Sequence, residues 1–422
     1  MYLTAAAIRS LIQTLPSGTA YGIGVVLIVM MTGRLRQQKG SLARAVLPFV
    51  VHLQWGWHRV DRAMERGKVQ RDAVFDGAFQ WCSDQLDVAV VRLGELEREV
   101  ISLDSSTIAR LRCQVGKSDL LGTGYGHRAG RAVRGNIVAA AVSIVLIRGV
   151  RGGVVQRVRF GVSCEAAVET LCADLPQSQG PSLVGVDAGI APKEQCARAT
   201  LQRALWGRLR INCQGRCAPP PPNGNRGRNP LHGPGLHPGR GAPEVAPDEE
   251  LTCAGAKGAI RLRRWQHVHY EGFEKTPLDV LRVDDPAYEQ PLLRGTTARE
   301  LTIQEFAPAY SHRWPVETLF DIGEATTATE KPRAWTEQAV ARRIGLGLLS
   351  GSLLKASAAP GEGLAMGPWD KKPQPTAGRL AHHLESHAEH FAALALNGVA
   401  PRNYRKNPKR AQAKDLQHTI AA

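Results

Sequence analysis

The sequence contains little cysteine and no apolar run long enough to cross a membrane. Only 8 of its 422 residues are Cys, far below the density of a small disulfide-stabilised secreted domain. They are scattered from Cys82 to Cys253, as expected of reduced cytoplasmic thiols. The apolar run from Tyr21 to Met31 has 11 residues, whereas a membrane-spanning helix needs about 20. The sequence therefore predicts a cytoplasmic chain without membrane contact, in which this run is a buried helix or strand.

The motifs of several enzyme classes are also missing. No G-x-S-x-G nucleophile motif occurs. Gly116-Lys117-Ser118 is similar to the end of a phosphate-binding loop, but Leu111 stands where that loop needs its first Gly. Cys213 and Cys217 have no second Cys pair at zinc spacing. Serine-hydrolase, P-loop and zinc-finger chemistry are therefore not expected.

Acidic residues are in the minority. The chain has 54 Lys and Arg against 38 Asp and Glu, a formal net charge of +16. Arginine supplies most of the basic residues, and its guanidinium contacts phosphate through two N–H groups at once. This balance favours a nucleic-acid partner, with a basic surface that has no partner as the alternative.

The spacing of apolar residues predicts an α/β fold. β-Branched runs bounded by Gly or turns predict strands, and apolar residues at helical spacing predict helices. The predicted strands are Val100–Asp104, Asn136–Ile147, Val154–Val162 and Ser182–Asp187, and the predicted helices are Glu165–Leu175, Lys193–Leu205, Arg299–Glu324, Ala334–Lys355 and Thr376–Asn397. Three strands followed by helix, strand and helix are typical of an α/β domain.

Composition shifts divide the chain into five predicted segments. A helical N-terminal domain at residues 1–98, expected to bind DNA, precedes the first part of the core at 99–213. An insertion at 214–298 carries four successive prolines and a basic loop with Arg226 and Arg228, which suit phosphate contact. The core resumes at 299–358, and a basic tail follows at 359–422.

Two aspartates follow apolar strand patterns. Asp104 ends one predicted strand and Asp187 another, 83 positions later. An unpaired charge is costly inside a core, but carboxylates at the carboxyl edge of a sheet can form a site. Together with Glu317, 130 positions further on, they could hold two magnesium ions. The alternative is that each is a strand-end cap or a surface acid.

The predicted helix around Glu317 has an unusual polar face. At 100° per residue, four polar side chains fall within about 60° of one another: Tyr310, Arg313, Glu317 and Glu324. An ordinary core-packing helix would carry apolar residues on its inner stripe. The alternative is a solvated face on which Arg313 and Glu317 form an i,i+4 pair.

The spacing Y-x2-R-x3-E at Tyr310, Arg313 and Glu317 resembles the signature of DDE transposases of the insertion-sequence 4 type, Y-x2-R-x3-E-x6-K. Four other stretches are similar to that family or to its insertion-sequence 701-like group: LDSSTIARL at Leu103–Leu111, YGHRAGRAVRGNIVAAAV at Tyr125–Val142, LVGVDAGIA at Leu183–Ala191 and APPPPNGNRGRNPLHG at Ala218–Gly233. The resemblance covers about Ile101 to Lys355.

The resemblance implies an RNase H-like mixed sheet flanked by helices, with an insertion before the last catalytic helix. It implies a transposase that cleaves DNA and transfers strands with magnesium or manganese ions. Asp104, Asp187 and Glu317 would be the catalytic metal ligands, and Tyr310 and Arg313 would contact DNA phosphates. The expected partners are double-stranded DNA, namely the element's terminal repeats and the target, and a second copy in a homodimer. The expected location is the bacterial nucleoid.

Three positions depart from the family pattern, of which Ser106, where the family usually has Thr, is the mildest. Glu324 stands where the family has Lys, and it would repel a phosphate there. Pro315 lies two residues before Glu317, where a helix-interior Pro costs about 3 kcal/mol or kinks the helix. Two alternatives therefore remain open: a catalytically impaired DNA-binding remnant of a transposase, and another RNase H-like nuclease.

Overall fold

The computed structural model describes residues 1–53, 57–110, 118–126, 130–175, 180–187, 199–200, 202–219, 232–240, 245–334 and 336–399. Within these residues the chain is a mixed α/β structure, in which a large mixed sheet is flanked by helices. This confirms the α/β part of the predicted fold class. The chain divides into two compact units, one of residues 1–89, 105–175 and 315–422 and the other of residues 90–104 and 176–314.

The helices of the chain fall mainly in the first unit. Its N-terminal helices are α1 (Tyr2–Gln13), α2 (Ser17–Met31), α3 (Arg34–Gln37), α4 (Leu42–Leu53), α5 (Trp57–Arg66) and α6 (Arg71–Gln85), and α7 (Cys164–Ala173) follows. After α8 (Ile303–Ala309) of the second unit come α9 (Trp314–Ala325), α10 (Glu337–Ala358), α11 (Ala377–Ser386) and α12 (Ala388–Leu396). Helices α1 and α2 pack against α12, and α2 also packs against α10. The described helices of the N-terminal segment end at Gln85, and the strands Val88–Val90 and Arg92–Leu93 follow before residue 98. The segment boundaries and the DNA-binding role of the segment stay predictions.

The apolar run near the N-terminus forms the central helix of the first unit. Every residue of α2 from Thr19 to Met31 is buried, so the prediction of a buried element is confirmed and the element is a helix. No helix among the described residues has the length and apolar character that crossing a bilayer requires.

A long hairpin provides the β-structure of the first unit. Strands β5 (Arg131–Ile147) and β6 (Val150–Gly161) pair antiparallel, and β4 (Leu121–Gly126) pairs with β5 on its other side along part of its length. Arg148 and Gly149 both have positive φ, which is the geometry of a two-residue type I′ turn. Two predicted strands are therefore confirmed, and both are longer than predicted. Strand β1 (Val88–Val90) also joins β5.

Strand β3 (Arg98–Ala109) belongs to both units, because the boundary falls between Asp104 and Ser105. Its first half carries the short β2 (Arg92–Leu93) and begins the sheet of the second unit. There β3, β7 (Ser182–Val186) and β8 (Arg203–Leu209) are parallel neighbours. Strands β14 (Leu292–Thr296), β13 (Leu278–Asp284), β12 (Gly258–Val268) and β11 (Glu249–Gly255) continue from β8 as antiparallel neighbours.

The predicted insertion therefore extends the sheet of the second unit. One face of these strands packs on an apolar cluster that includes Leu209, Trp265, Leu278 and Leu293. The short strands β9 (Gly215–Arg216) and β10 (Gly235–Leu236) form a separate two-stranded sheet beside it.

Two predicted helices are wrong in part. The helix predicted over 193–205 conflicts with β8, which begins at Arg203 because it pairs with β7 from Ser182 onward; residues 193–198 lie outside the described part. The helix predicted over 376–397 is two helices, α11 and α12, because His387 between them has a non-helical φ of −122°. The helices predicted over 165–175 and 334–355 are present as α7 and α10.

Candidate functional site

The pairing of β3 with β7 decides where the two predicted aspartates lie. The parallel register joins Glu99 to Ser182 and, in step, Ser102 to Gly185. Asp104 and Asp187 have the same separation along the chain as each of these pairs. Continuing the register two residues past Ser102 therefore places the aspartates side by side on neighbouring strands, about 5 Å apart at their Cα atoms. The two aspartates therefore occupy neighbouring positions where β7 ends.

The prediction that Asp104 ends its strand is wrong. Strand β3 continues to Ala109, because its second half pairs with β5. Asp104 is instead an interior position of a long strand, at the point where β7 stops beside it. Its side chain retains 20% exposure. Asp187 is also partly exposed, and it makes no ion pair or hydrogen bond with any described residue.

The single helix predicted over 299–324 is also wrong. The structure has α8, a 3-10 turn at Tyr310–Arg313 and then α9 from Trp314. Pro315 is the second residue of α9, where the missing N–H costs nothing because no first-turn N–H has an intrahelical partner. The proline therefore marks a helix start, and it does not disrupt the turn that carries Glu317.

This division changes which polar side chains share a face. Tyr310 and Arg313 lie in the 3-10 turn, whereas Glu317 and Glu324 lie in α9. Glu317 and Glu324 are seven residues apart, nearly two full turns, so they share a face of that helix. The four residues of the predicted face are thus divided between two elements.

Arg313 binds one of the two aspartates. Its Nη1 donates to Asp104 Oδ2 at 3.0 Å, and the guanidinium side chain is only 9% exposed. The 3-10 turn that carries Arg313 packs against β7. The second unit therefore brings together Asp104, Asp187 and Arg313, three of the residues predicted from the sequence.

Glu317 belongs to the first unit. It lies in the first turn of α9, where the helix dipole favours a carboxylate. The predicted approach of Glu317 to within about 8 Å of the aspartates, the span of a two-ion site, stays a prediction. The next residue, Thr318, accepts a hydrogen bond from Lys355 Nζ at 2.6 Å, and burial lowers the pKa of that lysine.

The other predicted DNA contacts involve side chains that lie outside the described part of the structure. Arg226 and Arg228 lie outside the described residues, as does the basic tail from residue 400. Tyr310 opens the 3-10 turn, but its side chain is outside the described part, so its phosphate contact stays a prediction.

Asp104 on β3 and Asp187 at the end of β7 are the candidate carboxylate ligands for a divalent ion. Among the described residues, no group of three or more His, Cys, Asp or Glu side chains is arranged to hold a metal ion. Magnesium, however, takes one or two carboxylates and completes its shell with water and phosphate oxygens. Asp104 and Asp187 fit that smaller requirement.

One residue of the site was missed by sequence reasoning. Trp314 follows Arg313 directly and is 62% exposed. A large aromatic side chain left in solvent beside an arginine can stack on a nucleic-acid base. Its position next to the R-x3-E spacing was visible in the sequence, but its exposure was not.

The chain matches no protein-family model, and no curated protein is significantly similar to it.

Proposed function

We propose that this chain is a DNA transposase of the DDE type, a metal-dependent enzyme that cleaves phosphodiesters and transfers DNA strands. The observation that carries the proposal is the parallel register of β3 with β7, which places Asp104 beside Asp187. The strand pattern supports an RNase H-like core: β6, β5 and β3 are neighbours in the first unit, and β3, β7 and β8 are parallel neighbours in the second.

The residues of the second unit would bind and orient the DNA. Arg313 holds the Asp104 carboxylate through Nη1, which fixes the direction of its oxygens. A contact of Arg313 with a DNA phosphate is what the resemblance implies for this position. Trp314 offers an exposed ring for a base. Tyr310, in the same turn, would add a phosphate contact, as the resemblance implies.

Asp104 and Asp187, with Glu317 as the third ligand, would hold magnesium or manganese. A bound divalent ion lowers the pKa of an attacking water or 3′-hydroxyl and stabilises the leaving oxygen. The three carboxylates would supply the negative charge that retains the ion.

Lys355 offers a reason why Glu324 need not abolish activity. The sequence lacks a lysine seven positions after Glu317, but Lys355 Nζ lies within 2.6 Å of Thr318 Oγ1, next to Glu317. Its hydrogen-bond partner is a neutral hydroxyl, so its charge remains available to a phosphate. We propose that Lys355 supplies the cation that position 324 does not.

The second candidate function is a DNA-binding remnant without catalysis. It is favoured by the described residues having no preformed three-acid metal group and by Glu317 and Glu324 sharing one face of α9. The two functions are separated by one assay: nicking of a supercoiled plasmid that carries the gene with its natural flanking DNA, with magnesium or with a chelator. The transposase nicks only with magnesium, and the remnant binds but never nicks. Another RNase H-like nuclease would nick without joining ends.

Replacing Glu324 with Lys is expected to strengthen DNA binding. Glu324 lies in the last turn of α9, where the helix dipole favours a cation, so the change is not expected to harm the fold. At an effective dielectric near 20, like charges ~4 Å apart repel by about 4 kcal/mol before screening. Removing that repulsion and adding a phosphate contact should steepen the log K against log salt slope by about 0.9. Fluorescence anisotropy across a salt series measures this.

The matched control is Glu362→Lys, which makes the same charge change at an exposed position. Equal gains in both variants would show a general charge effect. In that case the face that carries Glu317 and Glu324 would not contact DNA.

A further inference from the structure

A second polar region of the second unit lies beside the aspartates. The parallel register of β7 with β8 runs from Ser182–Arg203 to Val186–Gly207. One residue further, Asp187 is opposite Arg208. Across the next pair of strands, Arg208 is opposite Arg294. A row of side chains therefore runs Asp104, Asp187, Arg208, Arg294 across four neighbouring strands.

The pairing of Arg208 with Arg294 is unfavourable for the fold by itself. Like charges directly opposite each other on antiparallel strands destabilise a sheet. The same sheet places Arg263 opposite Arg282, and there Asp284 pairs with both arginines, at 2.5 and 2.8 Å. Arg208 makes no ion pair with a described acid, so its charge faces the solvent side of the sheet.

The row opens into a cleft at the ends of β8 and β14. The cleft has a volume of about 760 Å³, and its lining includes Arg208, Arg210, Ile211, Tyr288, Glu289 and Gln290. Arg208 and Arg210 are exposed, and neither side chain makes an ion pair or hydrogen bond with a described residue. Leu209 between them is buried in the apolar cluster, and all three residues line the cleft. The two exposed arginines therefore place positive charge at its wall.

An aromatic ring completes the lining. Tyr288 is 57% exposed, and its side chain has no hydrogen-bond partner among the described residues. Exposed aromatic rings beside arginines are typical of surfaces that bind single-stranded nucleic acid, because every base has a face that can stack. A duplex offers such a face only at its ends. The cleft volume lies within the range that accommodates a compact organic ligand.

We infer that this cleft binds single-stranded nucleic acid, with Arg208 and Arg210 on successive phosphates and a base stacked on Tyr288. The bound nucleic-acid strand would run from the cleft past Arg208 toward Asp187. The inference deepens the function proposed above and rests on it for the identity of the strand, but binding here requires neither metal nor cleavage. It can therefore be tested without the acids taking part.

The test uses the full chain in a chelator, with a labelled oligothymidylate of about 20 nucleotides, longer than a site of this kind. The variant Arg208→Ala/Arg210→Ala is expected to weaken binding about tenfold at low salt. With two contacts at about 0.7 each for single strands, the log K against log salt slope should become shallower by about 1.4. The control Lys371→Ala/Lys372→Ala removes the same charge from an exposed segment and should leave the slope unchanged.

Tyr288 separates stacking from charge. Tyr288→Ala should weaken oligothymidylate binding about tenfold, whereas Tyr288→Phe, which keeps the ring, should bind as the unchanged protein does. A duplex of the same length serves as the second probe and should be insensitive to Tyr288→Ala. Equal losses in the arginine and lysine variants, or no loss in either, would overturn the inference. Loss of duplex binding alone would overturn the assignment to single strands.

Discussion

Asp187→Asn is expected to lower magnesium-dependent nicking by about 10³-fold and to leave DNA affinity in a chelator unchanged. Asparagine keeps the size of the side chain but removes its charge. Charge stabilisation by a bound ion contributes several kcal/mol to such reactions. A barrier change of about 1.4 kcal/mol alters the rate tenfold. Because Asp187 makes no ion pair or hydrogen bond with a described residue, its replacement should not disturb the fold. Plasmid nicking and anisotropy in parallel measure the two quantities.

Asp104→Asn should lose nicking to the same degree, but it also weakens the hydrogen bond that Arg313 donates. A small loss of thermal stability is therefore expected for Asp104→Asn and not for Asp187→Asn. The matched control is Asp321→Asn, which changes an exposed acid on α9, four residues after Glu317. It should nick like the unchanged protein.

Glu317→Gln tests the third predicted ligand. If Glu317 binds the metal, its replacement should abolish nicking as completely as Asp187→Asn does, with binding intact. Nicking by Glu317→Gln at the unchanged rate would remove this residue from the site and leave an enzyme with two acids. Unchanged nicking by Asp187→Asn would reject the proposed catalytic role of the aspartate pair altogether.

The sequence predicted the strands of the site well because their signals are local. The run from Asn136 to Ile147 is β-branched and ends at Gly149, so both its strand character and its turn are encoded within a few residues. The sequence also identified Asp104 and Asp187 as acids after apolar strands. Their separation of 83 positions along the chain could be counted as well. It places the two aspartates side by side only because β3 pairs with β7, and the local sequence of neither strand predicts that long-range pairing.

Errors arose where tertiary contacts or proline overrode a periodic pattern. Arg203 and Leu205 fit helical spacing, but pairing with β7 makes them a strand. The helix predicted across Pro315 fitted a four-residue polar face, and the proline instead starts a new helix after a 3-10 turn. The opposition of Arg208 and Arg294 could not be seen at all, because it requires the register of β8 with β14.

A buried ion pair is expected to carry much of the stability of the second unit. Arg264 on β12 donates from Nε and Nη2 to Asp279 Oδ2 on β13, and the two side chains are 3% and 1% exposed. Arg264 also donates to the carbonyls of Leu301 and Arg299. The pair therefore ties two strands of the sheet to the segment that leads into α8 and the turn with Arg313.

Asp279→Ala should lower the free energy of unfolding by about 3 kcal/mol, because it removes the buried counter-ion of Arg264 and leaves only the more exposed Glu249, at 3.4 Å. Urea unfolding followed by tryptophan fluorescence measures this, since Trp265 is buried beside the pair. The control is Glu250→Ala, which breaks the exposed pair with Arg261 on neighbouring strands of the same sheet; it should leave the midpoint nearly unchanged because solvent screens such pairs.

The double replacement Arg264→Met/Asp279→Leu distinguishes the loss of an attraction from the exposure of an unpaired charge. Removing both charges leaves no buried guanidinium that has lost its buried partner, so the double variant should recover most of the stability that Asp279→Ala loses. If the double variant is as unstable as the single one, the stability depends on the hydrogen bonds that Arg264 donates to the carbonyls of Arg299 and Leu301. The position of Arg313 would then depend on the arginine itself, and DNA binding by the double variant should fall even where its fold is retained.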